Sequence, residues 1–159
     1  PDRAHLQLTV RNTNAETREL LLNGIKRIAE NMGRAAGLPE DKLPEVIYAK
    51  NFVPPTNNNA ALARQLRAAW NEELGEARVM DIPPSGMGAE DFPFFTVDPD
   101  IRSVYWAIGG TPQEDFDREA NGGEPVPSHH SPLFKISPEP SVTAGVESTV
   151  IALKELLKP

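Results

Sequence analysis

Leu6-Gln7-Leu8-Thr9-Val10-Arg11, followed by Thr13-Asn14-Ala15-Glu16, is the stretch that decides the fold class. Leu6, Leu8 and Val10 alternate with polar neighbours, the period of two expected of a half-buried strand. Thr13 and Glu16 then have the spacing of a capping box, in which hydroxyl and carboxylate satisfy free amides at a helix start. The helix this opens carries Leu21, Ile25, Ile28 and Met32, one apolar stripe turned toward a sheet. Gly33 or Gly37 can end it, and Glu45 to Asn51 reads as a second strand through Val46, Ile47 and Tyr48. Strand, helix and strand in so short a span make an α/β unit.

Outward from this unit, Val53-Pro54-Pro55-Thr56 and the asparagines after it mark the best domain boundary, because proline cannot continue a strand ladder. Asn59 can cap a helix with the stripe Leu62, Leu66, Trp70 and Leu74, stopped by Gly75. Ala77 to Ile82 reads as a short strand, Pro83 to Gly88 as a turn-rich loop, and Ser103 to Gly109 as another strand. Gly110 to Leu133 shows no convincing periodicity and is expected to be a long loop. A last helix over about Ser141 to Leu157 is expected to bury Val142, Val146, Val150, Leu153 and Leu157.

Composition narrows the function. The 159 residues are 39% hydrophobic and 25% charged, enough for a core of useful size. A formal charge of -7 argues against a phosphate-tracking nucleic-acid surface. No apolar run approaches the roughly 20 residues of a membrane span, so a soluble protein is expected, cytoplasmic or exported. With no cysteine there are no disulfides and no thiolate ligands, and the redox compartment stays open. Pro1 leads almost directly into a strand pattern, so the sequence is expected to begin inside a longer chain, with any targeting segment upstream.

Few residues offer chemistry. Of three histidines, His129 and His130 lie together in a loop stiffened by Pro127 and Pro132. Neutral imidazole suits a metal ligand or a general acid–base, and surface histidines in a proline-rich loop are the alternative. Adjacent residues usually point apart, so the two are not expected to share one ion. Glu90 and Asp91 follow a glycine-rich loop. They either cap a helix or turn a carboxylate toward a site, as a ligand or as a partner orienting a ligating histidine. Arg11 shares the polar strand face of His5, Gln7 and Thr9. Its guanidinium can grip a substrate carboxylate in a bidentate fork, or simply be solvated or paired. HExxH, P-loop, GxSxG and GxGxxG motifs are all absent.

Three separated stretches resemble one family. Pro1 to Leu6, Thr9-Val10-Arg11 and Glu16-Thr17-Arg18-Glu19 are together similar to the lid-domain segment of hippurate hydrolases and indole-acetyl-amino-acid hydrolases. Met87-Gly88-Ala89-Glu90-Asp91-Phe92 resembles their (Ser/Ala)-Glu-Asp-Phe block, and His130-Ser131-Pro132-Leu133-Phe134 their C-terminal His-x-Pro-x-Phe block. The order of these stretches, with Pro54-Pro55-Thr56 and Asn58 at the crossover, extends the resemblance over nearly the whole chain. Leu8 stands where many relatives have glycine, and His5 where an acidic residue is common.

This resemblance implies a metal-dependent amidohydrolase of the metallopeptidase group that includes aminoacylase and carboxypeptidase G. It implies an α/β fold: the C-terminal half of a lid (dimerisation) domain in residues 1–56, then the C-terminal part of a catalytic α/β domain in residues 57–159. The implied substrates are N-acyl amino acids or small peptides. One or two divalent metals are implied, zinc foremost and manganese, cobalt or nickel otherwise, with a homodimer formed through the lid. Carried onto this sequence, His130 matches a metal-ligand histidine and Arg11 the arginine that binds the substrate carboxylate. Glu90 and Asp91 match a block near the site, to which the resemblance assigns no role beyond an outer shell around the ligands. The general base and remaining ligands would lie upstream, leaving the isolated chain inactive. A non-catalytic lid and dimerisation module, or a degenerate relative, is the alternative.

Overall fold

The computed structural model describes residues 2–81, 86–88, 90–98 and 100–159. Ile82, read as a strand end, Pro83 to Ser85 of the turn-rich loop, and Ala89 of the acidic block lie outside the described residues. The chain separates into two compact units, Pro1–Asn58 with Ile82–Tyr105, and Asn59–Asp81 with Trp106–Pro159.

The first unit is built on helix α1, Ala15–Ala35. Asn14, not Thr13, caps it: the Asn14 side chain accepts the Thr17 N–H at 2.8 Å. Thr17 is the third helical residue, the amide an asparagine at the N-cap reaches most easily. At the other end Gly37, with φ 78°, donates to the Arg34 carbonyl at 2.9 Å, and Leu38 donates to Gly33 at 3.1 Å. These are the two bonds of a Schellman motif, so Gly37 is the stop and Gly33 is not. Gly33 is instead a packing position, since a Cβ there would lie 2.7 Å from Pro44 Cδ. Just beyond, Arg34 holds both oxygens of Glu40 at 2.8 and 3.0 Å, and this hydrogen bonding keeps the Glu40 carboxyl below its ordinary pKa.

From Pro44 the chain returns along α1. The Tyr48 hydroxyl donates to the Leu22 carbonyl at 3.0 Å, the Arg18 guanidinium lies 3.9 Å over the Phe52 ring, and Asn57 donates to the Thr13 carbonyl at 3.2 Å. Positions falling from 33 to 13 on one side meet positions rising from 44 to 57 on the other, so the two segments are antiparallel. Segment 45–51 thus lies on a helix where a strand was expected, and Leu21, Ile28 and Met32 of the α1 stripe are exposed rather than covered by a sheet.

No strand forms among the described residues. Segments 6–10, 45–51 and 103–109 are irregular, and Ala77-Arg78 belong to a 3-10 turn, Glu76–Arg78. Alternation supplies a face, but a strand also needs a neighbouring edge to pair its amides and carbonyls.

The second unit rests on α2, Ala60–Leu74, against α4, Pro138–Leu156. Asn59 caps α2 by accepting the Leu62 N–H at 3.0 Å, and Gly75 ends it at φ 85°. The α2 stripe is the core: Leu62, Leu66 and Trp70 are 6%, 2% and 8% exposed. Each such leucine contributes about 1.5–3 kcal/mol by burial. Gln65 bonds Glu155, Trp70 donates to the Ser148 carbonyl at 2.8 Å, and Arg78 pairs with Glu147, so the helices run antiparallel. The Trp106 ring lies 5.2 Å from that of Trp70 and donates to Ser148 Oγ at 3.3 Å.

Here α4 corrects the expectation. Its packed side holds Ser148 and Ala152, while Val142, Val146 and Val150 are 62%, 58% and 43% exposed and Leu153 and Leu157 are also outside. Small residues let α4 come close enough for two indoles to bond Ser148, and valines at those places would hold it off.

Residues 113–120, expected within a loop, form helix α3, Gln113–Ala120. It too closes with a Schellman pair: Gly122, at φ 85°, donates to Glu119 at 3.0 Å and Gly123 to Arg118 at 2.9 Å.

Candidate functional site

In the first unit the polar segment 5–11 has no regular structure, and its arginine is exposed. The Arg11 guanidinium donates through Nη1 to the Met87 carbonyl. This joins two positions far apart in sequence and sets the candidate clamp beside the Met87–Phe92 block. Five N–H groups sit on a guanidinium, so the contact leaves donors for a second acceptor.

The same block is anchored again at its far end. Phe92 opens a 3-10 turn, Phe92–Thr96, and its ring lies 5.2 Å from that of Tyr105. Tyr105 is held in turn by Asn58, whose side chain accepts the Tyr105 N–H at 2.7 Å and donates to its carbonyl at 2.8 Å. One asparagine amide thereby does for Tyr105 what a neighbouring strand would do. Glu90 and Asp91, between these anchors, are exposed. Asp91 precedes the turn, but its side chain makes no capping bond, and its backbone carbonyl accepts the Phe94 N–H at 3.1 Å. The Asn58 clasp is the feature of this unit that periodicity could not reveal. A run of asparagines after two prolines was its one trace.

In the second unit His129 and His130 occupy the two central places of a turn closed by Ser131 N–H to the Ser128 carbonyl at 2.8 Å. A second turn follows at once, with Phe134 donating to Ser131 at 3.1 Å and Pro132 at its first central place, where a fixed φ suits it. Both imidazoles are exposed, and their centroids are 4.3 Å apart with planes tilted by 46°. The rings therefore stand side by side, against the expectation that neighbours point apart.

Metal binding needs more than this. Among the described residues no three of His, Cys, Asp and Glu come together in a group that could hold an ion. A structural or catalytic zinc centre takes three or four protein ligands. The described residues do not fit such a centre by themselves, and His130 can supply one ligand of it. No helix among them is long and apolar enough to cross a membrane.

Comparison with known proteins adds a relative to weigh against this geometry. The chain is 33% identical over 94 residues, 59% of its length, to a protein of Synechocystis sp. whose name is "Probable hydrolase". The match spans 23% of that relative, so the chain corresponds to about a quarter of it. No family model matches. No solved structure matches either.

Proposed function

We propose that this chain is part of a hydrolase that cleaves the amide bond of N-acyl amino acids or small peptides with the help of one or two divalent metal ions. The observation that carries the reading is the similarity to a relative named as a hydrolase, joined to the order of the Arg11, Glu90-Asp91 and His130 blocks. In this reading the chain provides two functions. Arg11 grips the substrate carboxylate, and the bond to Met87 fixes its planar fork beforehand, so less side-chain freedom is lost on binding. His130 supplies one metal ligand on a turn stiffened by Pro132, and the remaining ligands and the general base come from outside these residues. Zinc is the first choice of metal, because imidazole and carboxylate ligands suit it, with manganese, cobalt or nickel as alternatives.

Segments 6–10, 45–51 and 103–109 would form strands with further strands in an α/β architecture, residues 1–56 belonging to a lid and 57–159 to a catalytic domain. Leu6, Leu8 and Ile47, all widely exposed, are apolar surface of the kind a lid-to-lid homodimer covers.

The test uses the complete enzyme and a panel of N-acyl amino acids, each beside its carboxyl-amidated counterpart. Hydrolysis of the free acids, lost on chelation and restored by zinc or manganese, is expected. Hydrolysis that survives exhaustive chelation, or a preference for the amidated form, would overturn the reading.

A further inference from the structure

The second unit holds a cleft that the hydrolase reading does not use. It has a volume of about 390 Å³ and is formed where α3 faces the loop that carries the two histidines. Val126, Pro127 and Leu133 contribute apolar surface to it, Leu133 being 69% exposed, and Arg118 and Lys135 also line it. Asp115 also lines it, but this carboxylate is held by Arg118 at 2.5 Å and is neutralised there. Among the described residues no carboxylate lies within ion-pair distance of Lys135. The cleft therefore carries one uncompensated positive charge beside an apolar surface, in a chain whose net charge is -7.

A cation facing a small apolar recess selects a particular kind of guest. The volume falls in the lower part of the range for small-molecule sites. An aliphatic body can lie along this apolar lining while a single carboxylate meets the Lys135 ammonium, helped by donors of Arg118 that Asp115 leaves unused. An amine of the same shape would meet the uncompensated Lys135 ammonium and be rejected. Two features of the chain build this cleft in place: the Schellman stop at Gly122-Gly123, which turns the backbone back after Arg118, and the double turn Ser128–Phe134, which presents Leu133.

We propose that this cleft is a binding site for a small aliphatic monocarboxylate, with Lys135 as its charge partner and Leu133 as its apolar contact. Leu133 lies three residues after His130 on the same double turn, and the test of the site does not depend on hydrolysis.

The experiment titrates the isotopically labelled 159-residue protein with hexanoate and, separately, with hexylamine, following backbone amide resonances. Hexanoate is expected to shift the amides of Val126, Leu133 and Lys135 saturably, with a Kd on the order of 1 mM. Hexylamine is expected to leave them in place. Lys135→Glu should weaken hexanoate by roughly tenfold or more, since a charge-assisted bond is exchanged for repulsion. Leu133→Ser should weaken it while retaining the preference for the acid. Both side chains are exposed, so neither variant disturbs the core. Equal shifts with hexanoate and hexylamine, no saturable shift of these amides, or unchanged affinity in Lys135→Glu would each overturn the proposal.

Discussion

Arg11 donates to the Met87 carbonyl across a separation of 76 residues, and so ties the candidate carboxylate clamp to the backbone just ahead of Glu90-Asp91. Since the bond uses Nη1, the remaining N–H groups can still form a fork with a substrate carboxylate. A charge-assisted hydrogen bond is worth about 1.5–3 kcal/mol, and each ~1.36 kcal/mol is tenfold in rate. In the complete enzyme, Arg11→Ala is therefore expected to lower kcat/KM for N-acyl amino acids by roughly one to two orders of magnitude. Carboxyl-amidated substrates should lose far less. Arg11→Lys should rescue only part, keeping the charge but not the planar geometry. Equal losses on both substrates would make Arg11 a structural tie to Met87 and no more.

The adjacent imidazoles lead to a second prediction. Because the rings of His129 and His130 lie side by side, geometry does not choose between them, and the choice of His130 rests on the His-x-Pro-x-Phe resemblance. His130→Ala in the complete enzyme is expected to strip metal and activity together. His129→Ala should retain both within a few fold. Metal content by elemental analysis of the two purified variants decides it, and equal depletion would show that the turn works as a pair.

How far the sequence could be read depends on what kind of interaction set each element. Helix α2 was legible because its cap Asn59, its stop Gly75 and its core stripe all lie within one stretch of chain. Helix α3 was not, because Phe116 is the one large apolar side chain in its eight residues and no stripe can form. Its real signals were acids in the first turn, Arg118 in the last and the Asn121-Gly122-Gly123 stop. For α4 the pattern favoured the valine side, whereas the packed side was chosen by small residues and by hydrogen bonds from Trp70 and Trp106, which hydropathy does not register. The Arg11 partner was beyond reach for a different reason: periodicity gives a face, and Met87 reaches that face only through the tertiary fold.

The orientation of α4 is open to a stability measurement. Leu66 is buried against α4, so Leu66→Ala should cost about 2–5 kcal/mol in urea unfolding of this chain. Val146 is 58% exposed, and Val146→Ala should stay within about 0.5 kcal/mol of the parent. A cost for Val146→Ala comparable to that for Leu66→Ala would mean that the valine side is covered in solution.

The two glycines within α1 make opposite demands and give the last prediction. Gly24 has nothing within 4 Å of where a Cβ would stand, and its φ is not in the left-handed region. A glycine in a helix interior costs about 0.5–1 kcal/mol relative to alanine, because its backbone has more freedom to lose. Gly24→Ala should therefore raise stability by that amount. At Gly33 the same gain in helix propensity is available, but the new methyl would lie 2.7 Å from Pro44 Cδ and 3.0 Å from Leu43 Cδ2. The Pro44 ring is rigid and cannot swing aside as a flexible side-chain end would. Relief requires moving the backbone at Pro44, where the chain begins its return along α1 to Tyr48 and Phe52. Overpacking of this kind costs about 1–3 kcal/mol, more than the propensity gain. Gly33→Ala is thus expected to lower the urea midpoint, and the double variant Gly33→Ala with Pro44→Ala should recover part of the loss, since the clashing ring atoms are then gone. If Gly33→Ala instead stabilises the protein as much as Gly24→Ala does, Pro44 does not press on α1, and the antiparallel return of residues 44–57 along that helix is wrong.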